Sequence, residues 1–149
     1  MEQLRTAVVG LGRIGWKLHL REVHEREGFK LAAVVDPAAD RLSEARSMYE
    51  VSGYTGLTAC LEAEKLDLVV VAAPTLFHAS QAIEAFEHGC DVFCDKPLAS
   101  SLQETDDMID AMEKLGQKLM VYQPRRCDLD VVALQDILER DLIGPPYMM

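Results

Sequence analysis

The stretch AVVGLGRIGWKLH, residues Ala7–His19, runs from an apolar, β-branched segment through glycines at 10, 12 and 15 into a segment of helical period. Gly10, Gly12 and Gly15 fit G-x-G-x-x-G. A strand-like run precedes them, a helix-like run follows, and an acid, Asp36, closes the next apolar run about 20 residues on, the spacing of a dinucleotide fingerprint. Each residue type has a task there. Gly10 permits a tight turn. Gly12 removes a Cβ so that a pyrophosphate can approach the backbone. Gly15 lets the helix pack closely on the strand. The helix start offers free N–H groups and a positive dipole end to phosphate. Asp36 can accept hydrogen bonds from two ribose hydroxyls. A bare structural turn with an incidental acid is the competing reading, and the coincidence of three independent features outweighs it. An S-adenosylmethionine site, which also uses a glycine-rich loop and an acid, stays open.

The same alternation continues along the chain. Strands are expected at Leu4–Val9, Phe29–Val35, Val51–Tyr54, Leu66–Ala73, Asp91–Cys94 and Lys118–Tyr122. Helices are expected at Ile14–Arg26, Ala38–Tyr49, Leu57–Glu64, Leu76–His88, Leu102–Leu115 and Leu129–Arg140. Leu66–Ala73 is nearly all apolar, as a strand covered on both faces must be. Ser100 or Ser101 caps the helix that Gly116 ends, and Gly89 stops the one before it. Repeated β-α units with short links imply one α/β domain, a doubly wound Rossmann-type parallel sheet of order 3-2-1-4-5-6 with helices on both faces.

Composition narrows the partners. The chain has 149 residues and a formal net charge of -10, from 15 Lys and Arg against 25 Asp and Glu. That balance argues against nucleic acid and anionic membrane, and leaves an anionic cofactor open because a helix N-terminus binds phosphate without basic side chains. No signal-peptide pattern opens the sequence, and the longest apolar run, Leu68–Pro74, is too short to span a bilayer. Cys60, Cys90, Cys94 and Cys127 show no CxxC spacing, so buried, reduced thiols in a cytoplasm are expected, with no metal site.

Later segments add specificity. APTLFH follows the fourth strand, CDKPLA the fifth and YQPRR the sixth. With GLGRIG and VVDP, this ordered set resembles the N-terminal domain of the glucose-fructose oxidoreductase / inositol dehydrogenase (Gfo/Idh/MocA) family over essentially the whole chain. The resemblance implies a phosphate loop at Gly10, Gly12 and Gly15, with Arg13 and Ile14 at the helix start. It implies a ribose-binding acid at Asp36 and a side chain near the adenine at Arg41. Pro74, Thr75 and His78 match a segment beside the nicotinamide ribose. Asp95, Lys96 and Pro97 match an E-K-P signature whose lysine contacts cofactor and substrate, which makes Lys96 the catalytic candidate. Asp95 stands where glutamate is usual. Gln123 and Arg125 lie in a segment bordering the nicotinamide, where Pro124 is a departure.

The residues themselves point the same way. Thr75, Lys96 and Gln123 fall just past the C-terminal ends of strands, where open α/β sheets bind ligands. Lys96 follows an apolar strand that should hold its stem, and Asp95 beside it favours the charged ammonium. His19, His24 and His88 read as helix-face or helix-end residues.

The implied cofactor is NAD, with NADP disfavoured by Asp36. The implied reaction is hydride transfer between NAD and a sugar- or polyol-like alcohol. An NAD-dependent glycosidase of the same broad family and a non-catalytic NAD-binding or sensor module are the alternatives. Residues 1–143 are expected to form the dinucleotide-binding domain, and 144–149 to begin a crossover, with YMM opening a strand, into a C-terminal substrate domain. The resemblance implies that such a domain supplies an Asp/His pair. An apolar flank around Ile143–Met149 would then invite self-association into a homo-oligomer.

Overall fold

The computed structural model describes residues 3–145 and residue 147. Six strands form one fully parallel sheet: β1 (Leu4–Val9), β2 (Phe29–Val35), β3 (Ser52–Tyr54), β4 (Leu68–Val71), β5 (Asp91–Cys94) and β6 (Leu119–Val121), in the order β3-β2-β1-β4-β5-β6. Crossovers run through α1 (Arg21–Glu25), α2 (Ala39–Tyr49), α3 (Leu57–Ala63), α4 (His78–Glu87) and α5 (Leu102–Leu115), and α6 (Leu129–Glu139) follows β6.

Alternate residues of each strand serve opposite faces, because successive side chains of a strand point to opposite sides. Val8, Val34 and Val70 face Leu20, Val23, Leu42 and Ala45. Val9, Val35, Val69, Val71 and Val92 face Ala82, Phe86 and Met108. Both faces of the central strands are covered, and this is why their sequences read as continuous apolar runs. Cys60, Cys90 and Cys94 lie in these interiors and Cys127 is exposed. Burial pushes the Cys60 and Cys94 thiols up to about 12 and Cys90 to about 11.

Three local features differ from the sequence expectation. The helix after the glycine loop starts with a π-helical turn, Gly15–Leu20, before α1. The wider turn places Gly15, His19 and Leu20 on the buried side. The fourth strand is shorter than its apolar run, since Arg5 donates its N–H to the Asp67 side chain (2.7 Å) where the ladder begins. A 3₁₀ turn, Pro124–Cys127, separates β6 from α6. At the chain's end, α6 stops at Glu139 and Asp141 takes a left-handed conformation (φ 50°). Leu142, Ile143 and Tyr147 are exposed, while Met148 and Met149 of the expected final strand lie outside the described residues, as does Pro146.

Candidate functional site

The chain leaves β1 toward β2 on one side and returns through β4 on the other, so a crevice opens between the loops after β1 and β4. It holds a cleft of about 650 Å³, within the usual range for small-ligand sites.

The glycine loop forms one wall. Gly10 has φ +88°, and a Cβ there would meet the Ala73 backbone nitrogen at 2.6 Å. A Cβ on Gly15 would collide with the Gly10 carbonyl oxygen. Gly12 has nothing within 4 Å of where a Cβ would sit, and it lines the cleft. Gly10 donates its N–H to Val35 (2.8 Å) and Leu11 donates to Asp36 Oδ2 (2.7 Å). Among the described residues, the Gly12 and Arg13 amides find no protein acceptor. The loop is therefore anchored at its start and open at its tip, as a phosphate cradle requires.

Asp36 sits at the end of β2, 3% exposed. Oδ2 accepts from Leu11 and from Arg41 Nη1 (3.3 Å), and Oδ1 accepts from the Ala38 N–H (2.9 Å). A carboxylate offers about four lone-pair sites, so roughly one stays free while Arg41 is in place. Two ribose hydroxyls require the guanidinium to step aside, and its half-exposed side chain leaves room for that.

Gly10, Gly12, Arg13, Ile14, Asp36, Arg41, Pro74 and Asp95 of the expected residues line the cleft. Thr55, Gly56, Leu57, Phe77 and Gln81 line it too, and the sequence reading did not single them out. Their one signal was position, just past β3 and β4. Gly15 lies behind the lining.

His78 is 1% exposed and outside the lining, with Nδ1 at 2.9 Å from the Pro97 carbonyl and Nε2 at 2.8 Å from the Ala73 carbonyl. It ties the loop after β4 to the loop after β5. Thr75 is half-buried and Pro97 exposed, both outside the lining.

Lys96 is exposed beyond the end of β5, and its stem is not packed as its place after an apolar strand suggested. Its backbone N–H, rather than its ammonium, meets Asp95, at Oδ1 (2.8 Å). Among the described residues no Lys96–Asp95 ion pair forms. Gln123 is exposed, and Arg125 points into solvent, paired with Asp128 at 2.7 Å.

His19, read from sequence as a helix-face residue, is 5% exposed and faces Asp95 Oδ2 at 3.8 Å. Burial lowers its pKa, against the raising influence of Asp95 and Glu22.

Comparison with known proteins agrees with this architecture. Residues 4–123 match the oxidoreductase family with an NAD-binding Rossmann fold. The chain is 33% identical to a D-glucoside 3-dehydrogenase of Escherichia coli over 97% of its length and 42% of that protein's. It is 32% identical to an inositol 2-dehydrogenase of Streptomyces avermitilis, over 98% of this chain and 43% of that one. The chain thus spans less than half the length of these curated relatives. Among solved structures, the WlbA dehydrogenase of Bordetella pertussis, in complex with NADH and UDP-GlcNAcA, matches with a TM-score of 0.93 and 26% identity, covering 99% of this chain and 45% of that one. A myo-inositol 2-dehydrogenase of Lactobacillus plantarum matches with a TM-score of 0.88 and 30% identity, covering 96% and 43%.

Proposed function

The chain belongs to the Gfo/Idh/MocA oxidoreductase family through its NAD-binding Rossmann domain, and from that premise we propose that its cleft holds NAD(H) in an enzyme moving hydride between the nicotinamide and a sugar- or polyol-like alcohol. The observation that carries this reading is the continuous wall from Asp36, across the open Gly12–Arg13 amides, to Pro74 and Asp95. An acid at one end suits ribose hydroxyls. Unpartnered amides in the middle suit a pyrophosphate. The relatives named as glucoside and inositol dehydrogenases support the substrate class.

When bound, the cofactor supplies the hydride chemistry at its nicotinamide ring. This chain's residues bind and orient it. Leu11 fixes Asp36 against the loop, so the ribose acid and the phosphate cradle move as one unit. His78 holds the loop after β4 to the Lys96–Pro97 segment, which sets the distance between the cleft and the lysine. Lys96, exposed at the end of a long stem, serves as the hydrogen-bond donor toward a substrate oxygen. Thr75, Gln123 and Arg125 belong to the same C-terminal edge of the sheet and border the reacting end.

The test is calorimetric titration of the chain with NADH. Wild type binds; Asp36→Ala binds at least about tenfold more weakly, the loss of about 1.4 kcal/mol expected for ribose hydroxyls without their acceptor. Lys96→Ala changes affinity only about twofold, because the side chain lies outside the lining. If D36A bound as tightly as wild type, the cofactor assignment of this cleft would fall.

A further inference from the structure

We propose that His19 is a positioning residue for the cleft: its buried imidazole steers the Asp95 carboxylate, and through it the backbone turn that carries Lys96. The inference rests on the cleft being the cofactor site.

Four observations carry it. His19 lies on the π-helical turn that follows the glycine loop, and Asp95, at the end of β5, lines the cleft, so the pair joins the helix behind the glycine loop to the strand end beside the cleft. The imidazole is wedged edge-on between Phe93, at a centroid distance of 5.7 Å, and Tyr122, at 5.2 Å. Its Nε2 is buried and, among the described residues, has no hydrogen-bond partner, with Asp95 Oδ2 at 3.8 Å. Asp95 itself lines the cleft and is only 9% exposed, with Oδ1 already engaged by the Lys96 N–H.

A leucine or phenylalanine would fill this aromatic slot without burying an orphaned nitrogen. The polar ring is informative because buried polar atoms without partners are rare. The oxygen it approaches is Oδ2 of Asp95, at 3.8 Å. A shift of about 1 Å in the turn converts the 3.8 Å approach into a charge-assisted hydrogen bond. With Nε2 protonated, the imidazole donates to Oδ2, and the carboxylate is then clamped between His19 and the Lys96 amide. The titratable and charged groups facing His19 are Asp95 from the end of β5, Tyr122 from the end of β6, and Glu22 and Arg26 on its own helix. Burial favours the neutral ring, so near neutral pH the clamp uses the Nε2–H tautomer. Acidification adds the charge.

The experiment follows the Lys96 backbone amide and the His19 ring by NMR in the 149-residue chain as pH falls from 8 until the His19 ring has fully titrated, below the ordinary histidine range because burial lowers its pKa. The Lys96 amide is expected to shift with the same midpoint as the His19 imidazole. Asp95→Asn should break that correspondence. His19→Gln, which keeps a neutral donor, should remove the histidine step from the Lys96 amide. NADH affinity adds a second readout: His19→Leu should weaken binding by about fivefold, and His19→Gln should recover most of it, a graded rescue that simple packing does not produce. A Lys96 amide that ignores the His19 titration in wild type overturns the proposal, whatever the variants do. The titration is read without NADH. Failure of NADH to bind therefore counts against the cofactor reading alone, whereas NADH binding with an uncoupled Lys96 amide sinks this inference alone.

Discussion

Gly12 and Gly15 are separated by two residues and by opposite demands. A methyl group on Gly15 would strike the Gly10 carbonyl oxygen, which is backbone and cannot yield without opening the turn. A methyl group on Gly12 would enter open space in the wall of the cleft. Gly15→Ala should therefore cost about 3 kcal/mol of stability. In a domain of this size that lowers the melting temperature by about 6–12 °C. Gly12→Ala should melt with wild type but bind NADH at least about tenfold more weakly, because the methyl occupies the space a phosphate needs. Thermal melts and NADH titrations of both variants decide it; equal melting temperatures for the two would refute the division of labour. Asp36 carries a second expectation at this scale. It is buried and bonded to two backbone amides, so it cannot swing away from a 2′-phosphate. Like charge and facing acceptors should disfavour NADPH against NADH by about 2–4 kcal/mol, with Arg41 reducing the gap if it leaves Asp36 for the phosphate. Calorimetry with both cofactors measures the difference, and equal affinities would remove Asp36 from the ribose site.

At the scale of elements, legibility followed periodicity. The apolar runs at β1, β2 and β4 could be read because both faces of those strands are covered. The cap of α5 was legible too: Ser101 accepts from the Glu104 N–H (3.2 Å), and Glu104 reaches back to the Ser100 N–H (2.7 Å). What could not be read was whatever depends on which element meets which. His78 looked like a ligand-facing residue because it follows Pro74–Thr75, yet it is held by carbonyls from two different loops, one of them after β5. His19 read only as a helix-face or helix-end residue because a period of 3.6 does not anticipate a π-helical turn, nor an acid arriving from Asp95. Thr55, Gly56 and Gln81 carry no motif, and Phe77 drew no notice inside APTLFH; only the sheet order brings them to one cleft. The helical pattern of α6 was plain, but its packing was not. Leu129 is 87% exposed and Leu134 43%, so its apolar face rests on little of this chain.

At the scale of the whole molecule, cofactor binding and turnover are expected to separate. Every expected contact to the pyrophosphate and the adenosine comes from the glycine loop, Asp36 at the end of β2 and Arg41 on α2, which line one crevice. The reacting end is different. Among the described residues, the ionisable groups lining the cleft are Arg13, Asp36, Arg41 and Asp95. The two guanidiniums only donate. Asp36 is committed to the loop, and Asp95 is committed to the Lys96 turn. Lys96, Gln123 and Arg125 are exposed, and among the described residues none of them lines the cleft. Orientation of reactants is worth about 7–11 kcal/mol of a barrier. A positioned base adds about 10²–10⁴-fold. With neither in place, the 149-residue chain should bind NADH, raise its fluorescence, and produce no NADH from NAD and any polyol or sugar above a protein-free control. Joined to the remaining part of a full-length relative, the domain should turn over, with net NADH accumulating if the reaction is oxidation and none accumulating if the hydride is returned during hydrolysis. Sustained NADH production by the 149 residues alone would mean that the exposed Lys96 edge is already a working active site, and the division between a binding cleft and a separate substrate-holding surface would have to be given up.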